Sequence, residues 1–278
     1  MKDQPAGRGR TRASRGRVEP LVTRPLRADV VRLTALAALT SAVAACSPAP
    51  DWGSVETIAG EQVRVECRGT ATPAVVLVHG IGDEASSASF DKVLERLPSD
   101  RRVCRYDRPG DGESPEPRRQ GRDAGNLDQE LDGVVQRADP NHPVLLVGHS
   151  FGSYPVLTYT TRHRERVAAV VLLDGVDPTM GLRKAIGVSD WSDVKMAAER
   201  LDLAAVQEQT ASAVSAGAGA FADLPLTVVR RDKGVMPDWL AAQQRLTALS
   251  SKGRLVVAAG SGHEVPTDAP DSVVTAIG

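Results

Sequence analysis

Short, uninterrupted apolar runs recur along this chain and alternate with longer stretches of helical periodicity. Two of the runs, 74–78 (AVVLV) and 167–173 (VAAVVLL), contain no polar residue. Continuous apolar runs of this length are typical of strands that are buried on both faces, as in a parallel sheet. Further strand-like stretches are found at 55–58, 62–68, 103–106, 143–147, 225–231 and 254–258.

Amphipathic stretches with helical spacing separate these runs. Helices are predicted at 89–97, 127–138, 151–163, 239–249 and 270–277. Because strands that alternate with helices favour a mostly parallel sheet with helices on both faces, the chain is predicted to adopt an α/β fold.

One long segment interrupts the alternation. Between Gly175 and Asp223 there is no strand-like run, only stretches rich in Ala, Leu, Glu and Gln. A connection of about fifty residues exceeds the ordinary length of loops in such folds. The pattern therefore predicts a helical cap over 175–224, inserted into a core formed by 55–174 and 225–278.

The chain begins with a basic segment followed by an uncharged run at 33–45 (LTALAALTSAVAA). A membrane-spanning helix needs about twenty apolar residues, so this run is shorter than a span. It fits the apolar part of a secretory signal that ends in small residues. Residues 1–45 are thus predicted to be a leader, and 46–54 a tether rich in Pro, Ser and Ala.

The residues Val43-Ala44-Ala45-Cys46 resemble a bacterial lipobox, in which cleavage leaves a lipid-modified cysteine at the new N-terminus. Cys46 is therefore the predicted lipidation site, and the protein is expected to be exported and anchored to the cell membrane. An ordinary signal peptide or a short amphipathic helix is the alternative interpretation of the same residues.

Charge is distributed unevenly between the leader and the rest of the chain. Residues 1–32 contain nine Lys and Arg against three Asp and Glu, whereas 33–45 contain none of these four. Since the whole chain has a formal charge of −1, the part from Cys46 onward carries −7. A mildly acidic body has no electrostatic reason to bind nucleic acid, so a nucleic-acid partner is not expected.

Two further cysteines, Cys67 and Cys104, lie in strand-like stretches. Export would permit a disulfide between them. A bridge also requires that the two strands bring the cysteine Cα atoms within about 7 Å of each other. Without that proximity, two buried thiols are expected.

The sequence Gly148-His149-Ser150-Phe151-Gly152 matches the pattern G-x-S-x-G between an apolar strand and a predicted helix. In that context the serine lies on a tight turn that lifts its hydroxyl above the sheet, and only small residues fit two positions before and after it. Ser150 is therefore the predicted nucleophile. The alternative is a glycine-bounded strand–helix turn with an incidental serine.

A serine hydroxyl needs a base to remove its proton before it becomes an effective nucleophile. His263 follows the last predicted strand in Gly260-Ser261-Gly262-His263, a loop position from which an imidazole can reach Ser150. The order serine, acid, histidine along the chain is the order that this type of elbow requires. His263 is therefore the predicted base. Structural or surface roles are expected for the other histidines, which are His79, His142, His149 and His163.

The acid that orients the base is not decided by the sequence. Asp174 follows the strand at 167–173 and Asp232 follows the strand at 225–231, so both fit the chain order. Asp232 is flanked by charged residues, which favours a solvated turn, whereas Asp174 directly follows a buried strand. Asp174 is preferred on this ground, Asp232 remains its competitor, and Asp177 is a less favoured candidate.

The negative oxygen that forms during acyl transfer needs backbone N–H donors. The residue after the nucleophile, Phe151, is expected to supply one of them. The other is expected from Ile81, in a loop where Gly80 and Gly82 give the backbone freedom to turn its amides inward.

Together these residues resemble the α/β-hydrolase superfamily over about Val55 to Gly278. The resemblance depends on motifs that occur in the family's order. They are His79-Gly80, residues 106–114 (YDRPGDGES), the Ser150 elbow and Ser261-Gly262-His263.

The resemblance implies a mostly parallel sheet of about eight strands with a helical cap, in which the second strand is antiparallel and adjacent to the fourth. Cys67 and Cys104 would then lie on adjacent strands, so a disulfide between them is expected. Ser153 departs from the family pattern, since many members have a further glycine at that position.

The residues and the resemblance together predict a serine hydrolase that cleaves an ester or related acyl bond through an acyl-enzyme intermediate. No metal or cofactor is expected, since no clustered His and Cys spacing suggests zinc. The expected partners are a small-molecule ester or acyl substrate beneath the cap, and the membrane through Cys46. Because aromatic residues make up only 3% of the chain, aliphatic side chains are expected to line the substrate pocket. The alternatives are an aminopeptidase-like amidase and a catalytically silent binding protein on the same scaffold.

Overall fold

The computed structural model describes residues 51–81, 86–181 and 198–278, whose fold is organised around one sheet. Its strands are β1 (Asp51–Ile58), β2 (Glu61–Arg68), β3 (Ala71–Val78), β4 (Arg101–Asp107), β5 (Val144–His149), β6 (Val167–Leu173), β7 (Leu226–Arg231) and β8 (Gly253–Ala258). In space they follow the order β1-β2-β4-β3-β5-β6-β7-β8. Strand β2 is antiparallel to both of its neighbours, and all pairs from β4 to β8 are parallel. The predicted α/β-hydrolase sheet of about eight strands is therefore confirmed.

Several predicted features lie outside the described residues. They are the leader 1–45, the lipidation site Cys46, Gly82 of the oxyanion loop and residues 182–197 of the predicted cap. Within the part of the chain that the structure describes, no helix is long and apolar enough to cross a lipid bilayer.

Alternate residues of the central strands face two separate apolar layers. In β3, Val76 and Val78 belong to one layer, whereas Val75 and Leu77 belong to the other. Successive side chains of any strand point to opposite faces of the sheet. Because both faces are covered, the strand is apolar throughout, and this explains the uninterrupted run in the sequence.

Helices cover both layers. They are α1 (Asp91–Leu94), α2 (Ala124–Ala138), α3 (Ser153–Arg162), α4 (Leu203–Ala216), α5 (Pro237–Thr247), α6 (Val265–Asp268) and α7 (Pro270–Ile277). Helices α2, α3 and α5 pack on the first layer, and α1, α6 and α7 pack on the second. Short 3₁₀ turns are found at Ser87–Phe90, Ser150–Gly152, Arg164–Arg166 and Ala218–Phe221.

The first strand begins earlier than the sequence indicates. Strand β1 starts at Asp51, within the range predicted as a tether. It pairs with β2 in antiparallel register, so that Ser54 lies opposite Val65 and Ile58 lies opposite Glu61. Pairing with a neighbouring strand, rather than its own apolar content, fixes the start of this edge strand.

Helix α4 lies within the segment predicted to be a cap. Leu203 and Val206 of this helix are buried in one apolar cluster with Phe151 and Tyr154, which follow the nucleophile elbow. The described part of the segment therefore contains one helix close to the elbow, while residues 175–181 are not helical. Its function as a cap over a substrate stays a prediction.

A disulfide joins Cys67 of β2 to Cys104 of β4. The two residues lie directly opposite each other in the antiparallel register, with their Cα atoms 4.1 Å apart. The proximity that a bridge requires is thus met by the strand order that the resemblance implied.

Candidate active site

The turn that carries Ser150 connects the end of β5 to helix α3. Ser150 has a φ of 52°, a left-handed conformation that is uncommon for a residue with a side chain. A Cβ atom at Gly148 would lie 2.7 Å from the Gly152 carbonyl oxygen, and one at Gly152 would overlap the Val78 carbonyl oxygen. Both glycines are therefore required by close backbone contacts, and the strained turn holds the serine above the sheet.

A chain of hydrogen bonds joins three residues from three different loops. Nε2 of His263 lies 2.8 Å from Oγ of Ser150, and Nδ1 of the same ring lies 2.7 Å from Oδ2 of Asp174. Ser150 follows β5, Asp174 follows β6 and His263 follows β8. Because these strands are parallel, their carboxyl ends meet at one edge of the sheet, where ligand sites of such folds are found.

Asp174 is fully buried and accepts hydrogen bonds on both oxygens. Oδ1 accepts from Nε1 of Trp239 (2.8 Å) and from the backbone N–H of Arg231 (3.1 Å). Oδ2 accepts from Nε of Arg231 (2.5 Å) in addition to His263. Burial would raise the pKa of Asp174, but the bond from His263, the Arg231 charge and the bond from Trp239 outweigh it and hold the pKa below its ordinary value. The carboxylate is thus ionised and fixed in direction.

Arg231 places a positive charge beside both Trp239 and His263. Its guanidinium lies 4.4 Å from the centre of the Trp239 ring and 3.0 Å from Nδ1 of His263. Nothing in the residue pattern indicates a role for Arg231 beside the acid. In the sequence it is one of the charged residues that flank Asp232.

Asp232 and Asp177, the other candidate acids, contact different groups. Oδ2 of Asp232 accepts from the backbone N–H of Gly260 (2.9 Å), and its own N–H donates to the carbonyl of Ser261 (3.1 Å). Asp177 accepts from Nε of Arg245 at 2.6 Å. Asp232 therefore fastens the loop that precedes His263, while Asp174 is the carboxylate at the imidazole.

His149 supports the same loop from the opposite side. Its Nε2 lies 2.9 Å from the backbone carbonyl oxygen of His263, and the two imidazole rings are 5.1 Å apart. Burial and the nearby His263 ring lower the pKa of His149, so its ring is neutral at neutral pH. The sequence analysis does not assign His149 as the base, and it does not predict this contact with the His263 backbone.

Ser153, the departure from the family pattern, holds the elbow to the loop after β6. Its buried hydroxyl lies 2.7 Å from the carbonyl oxygen of Ser150 and accepts from the N–H of Val176 at 3.0 Å. A Cβ atom at Gly175 would lie 3.1 Å from the Ser153 Cβ, so the two loops are in close contact. A glycine at 153 could not make these bonds.

The loop predicted to stabilise the oxyanion passes beside the nucleophile. A Cβ atom at Gly80 would lie 3.3 Å from the Cβ of Ser150. Ile81, the next residue, packs against the cluster that contains Phe151. The structure therefore brings both predicted donor residues to the nucleophile, and their role as donors stays a prediction.

Among the described residues, one group of side chains has the composition of a metal site. Donor atoms of His149, His263 and Glu264 lie within 4.8 Å of one another. The His263 nitrogens already face Ser150 and Asp174, and Nε2 of His149 faces a carbonyl. The arrangement therefore fits a hydrogen-bonded base better than a metal centre.

Comparisons with known proteins identify the fold family. A profile of the alpha/beta hydrolase fold family matches residues 73–212, which is half of the chain. The chain belongs to the α/β-hydrolase fold family. This membership confirms the resemblance found in the motifs.

This α/β-hydrolase is similar to a curated Abhydrolase domain-containing protein, abhd-5.2, of Caenorhabditis elegans, with 31% identity over 102 residues that cover 36% of this chain. The matched region spans only about a fifth of the length of the first curated relatives, 22% and 18%. A crystal structure of Cfl2 from Burkholderia cenocepacia has a TM-score of 0.63 at 18% identity, covering 80% of this chain and 93% of that one. A thioesterase domain from the curacin biosynthetic pathway has a TM-score of 0.60 at 17% identity, covering 81% and 98%. At these identities the solved structures show a shared fold.

Proposed function

We propose that this protein is a serine hydrolase that cleaves an ester or related acyl bond through an acyl-enzyme intermediate on Ser150. The observation that carries the proposal is the continuous chain from Ser150 Oγ through the His263 ring to Asp174, with bonds of 2.8 and 2.7 Å. A nucleophile bonded to a base, and a base oriented by a third group, is the geometry that activates a hydroxyl at neutral pH.

In the first half of the reaction, Ser150 Oγ attacks the acyl carbon while its proton moves to Nε2 of His263. The carbonyl oxygen of the substrate becomes negative in the tetrahedral intermediate. When the intermediate collapses, the bond to the leaving group breaks and the proton on His263 passes to that group. The acyl group remains bonded to Ser150.

In the second half, water replaces the leaving group. His263 takes a proton from the water, whose oxygen attacks the acyl carbon, and the proton then returns to Ser150 as the acid product leaves. Asp174 keeps the proton of the neutral ring on Nδ1 and stabilises the imidazolium that forms in both halves. The depressed pKa of Asp174 supports this role, because the carboxylate stays ionised wherever the base is active.

The substrate is proposed to have a small or medium, partly apolar acyl group. Beside the nucleophile lies an apolar cluster that includes Phe151, Tyr154, Val176 and Trp239. Three of the nine aromatic residues of the chain are in this cluster, so the surroundings of the nucleophile are richer in aromatic side chains than the composition indicates. Because these three side chains are buried, they make the protein interior next to the nucleophile apolar.

The test is a panel of activated esters and matched anilides of increasing acyl length. We expect hydrolysis of the esters by the purified protein and none by a Ser150→Ala variant. Hydrolysis of the anilides as well would favour an amidase. A folded protein that hydrolyses neither class would contradict the proposal and favour the binding-protein alternative.

We further propose that the protein is exported and lipid-anchored at Cys46. The disulfide between Cys67 and Cys104 supports export, because such bonds persist in oxidising compartments. Metabolic labelling of the full chain with an alkyne fatty acid is expected to mark the wild type and not Cys46→Ser. Equal labelling of both proteins would contradict the anchor.

A further inference from the structure

The arginine of the 106–114 motif has no role in the mechanism above, yet its side chain is fully buried. Nη1 of Arg108 donates to the carbonyl of His79 (2.8 Å), and Nη2 donates to the carbonyl of Gly80 (2.5 Å). Both carbonyls belong to the loop that leads to Ile81. One guanidinium therefore binds two consecutive peptide groups next to the nucleophile.

The bonds to the Gly80 carbonyl also affect the N–H of the next residue, Ile81. The carbonyl of Gly80 and the N–H of Ile81 belong to the same planar peptide group. In a trans peptide the two bonds point in opposite directions, and the cis peptide found among the described residues is Thr72–Pro73. A donor that fixes the Gly80 oxygen thereby fixes the direction of the Ile81 N–H.

The guanidinium is held from the other side by two acidic side chains. Nε and Nη2 of Arg108 bind the two oxygens of Glu199 at 2.7 and 3.0 Å, and Nη2 lies 3.2 Å from Asp111. The Glu199 charge, despite burial, raises the pKa of Arg108 above its ordinary value. The cation is thus permanently charged and has a defined orientation.

His79 completes the support of the same peptide. Burial and the Arg108 charge lower the pKa of His79 well below its ordinary value, so the ring is neutral. Its Nε2 accepts from the backbone N–H of Arg108 (3.2 Å), which places the ring proton on Nδ1, 2.9 Å from the Gly80 oxygen. The Gly80 oxygen therefore receives two donors from fixed directions.

The second predicted oxyanion donor is close to the same cation. The guanidinium carbon of Arg108 lies 5.2 Å from the centre of the Phe151 ring, within the range of a cation–π contact. Arg108 thus contacts the ring of Phe151 and also binds the peptide group that carries the Ile81 N–H. These are the two residues whose N–H groups are proposed to bind the oxyanion.

We propose that Arg108 is a positioning residue for the oxyanion hole, which aims the Ile81 N–H at the reacting carbonyl by binding the opposite end of its peptide group. Glu199 orients Arg108 for this task. The inference rests on the proposed hydrolase function, and it assigns to the 106–114 motif a role in transition-state binding.

The chain offers a matched control in Arg122. This side chain is also fully buried, binds Glu130 at 2.6 and 3.0 Å, and donates to the carbonyls of Pro109 and Glu199. It makes no described bond to the oxyanion loop. Arg108→Lys and Arg122→Lys therefore each remove a buried bidentate ion pair, but only the first releases the loop.

The experiment measures ester hydrolysis and inhibition by a trifluoromethyl ketone, which forms a tetrahedral adduct with a serine nucleophile. Loss of one oxyanion donor costs roughly 10²–10³ in kcat, so its misalignment in Arg108→Lys is expected to cost roughly ten- to hundredfold. KM should change little, and the ketone should bind more weakly by a factor similar to the loss in kcat. Arg122→Lys is expected to lower thermal stability while keeping kcat and ketone affinity near those of the wild type.

Equal kcat and ketone affinity in the two lysine variants would overturn the proposal, because both arginines would then be merely structural. If Arg108→Lys does not fold, Glu199→Gln, which keeps the shape of the acid but weakens its hold on Arg108, is expected to show the same split to a smaller degree. An unchanged kcat in folded Glu199→Gln would also overturn it. Failure of the wild type to hydrolyse any ester would instead refute the hydrolase function, and this positioning role with it.

Discussion

Two arginines support the two sides of the candidate site, and they do so in different ways. Arg231 binds the side chain of Asp174 directly, and its own side chain is 18% exposed. Arg108 binds backbone carbonyls and is fully buried. Beside the candidate acid, the guanidinium of Arg231 therefore fixes a carboxylate. Beside the proposed oxyanion donors, the guanidinium of Arg108 fixes two peptide groups. The Arg231–Asp174 ion pair is expected to weaken at low pH, whereas the bonds from Arg108 to the two carbonyls depend on the position of the guanidinium.

The groups proposed to react are only part of this site, since other residues hold them in position. Ser150 and His263 are held by the elbow and by a loop fastened on two sides by His149 and Asp232. The elbow and His149 are at the end of β5, and Asp232 follows β7. A site assembled from separate strand ends needs such supports, because a displacement of about 1 Å can lower a rate a hundredfold.

The largest expected effect comes from the acid itself. Asp174→Asn is expected to lower kcat/KM roughly ten-thousandfold, because the amide no longer stabilises the productive tautomer of His263. Asp232→Asn, the matched change at the competing acid, is expected to keep most of the activity, because the amide oxygen of asparagine can still accept the bond from the Gly260 N–H that fastens the loop. Steady-state kinetics on an activated ester checks both. The reverse order of effects would show that Asp232 is the acid.

A smaller effect is expected when the ion pair on the acid side is broken. The depressed pKa of Asp174 means that its carboxylate stabilises the folded state above the ordinary pKa of aspartate, and that this contribution is lost as pH falls through the lower folded-state pKa. In Arg231→Met the folded-state pKa of Asp174 should rise toward its ordinary value, so the stability lost on acidification should be smaller and the loss should end at a higher pH. At neutral pH the variant is expected to be destabilised by about 1–3 kcal/mol.

Denaturant unfolding measured between pH 3 and pH 7 tests this expectation. Arg230→Met is the control, because Arg230 is the adjacent arginine on β7 and does not bind Asp174. If Arg231→Met and the wild type lose stability over the same pH range, the ion pair does not set the pKa of Asp174.

The smallest effect is expected beside Arg108. Burial raises the pKa of Asp111 against the opposing charge of Arg108, and the Glu199 and Asp107 carboxylates raise it further, to about 9. A carboxyl whose pKa is higher in the folded state costs stability as pH rises from its unfolded pKa to its folded pKa. Asp111→Asn, which resembles the neutral form, is therefore expected to raise the melting temperature at pH 8 and to change it less at pH 5. A lower melting temperature at pH 8 would contradict the raised pKa.

Much of the fold could be predicted because its signals are local. The apolar run of β3 and the strand–turn–helix context of Ser150 depend on residues that are neighbours in the sequence, and both were predicted correctly. The start of β1 could not be predicted in the same way. It is fixed by pairing with β2, which composition does not reveal.

The site was less accessible to sequence analysis where it depends on loops that meet only in space. The order along the chain allowed both Asp174 and Asp232, and charged neighbours of Asp232 were interpreted as marks of a solvated turn. One of those neighbours, Arg231, in fact turns back to bind Asp174. The charged residue beside Asp232 therefore does matter, but through its ion pair with Asp174 at the end of the neighbouring strand.

Active-site labelling is the most direct test of whether Ser150 is an activated nucleophile. The protein from Cys46 onward would be treated with a fluorophosphonate, and the modified residue would be located by mass spectrometry. We expect one adduct on Ser150 that is lost in His263→Ala and retained in Asp232→Asn. A folded, disulfide-bonded sample that leaves Ser150 unmodified would contradict an activated serine and the hydrolase function that depends on it.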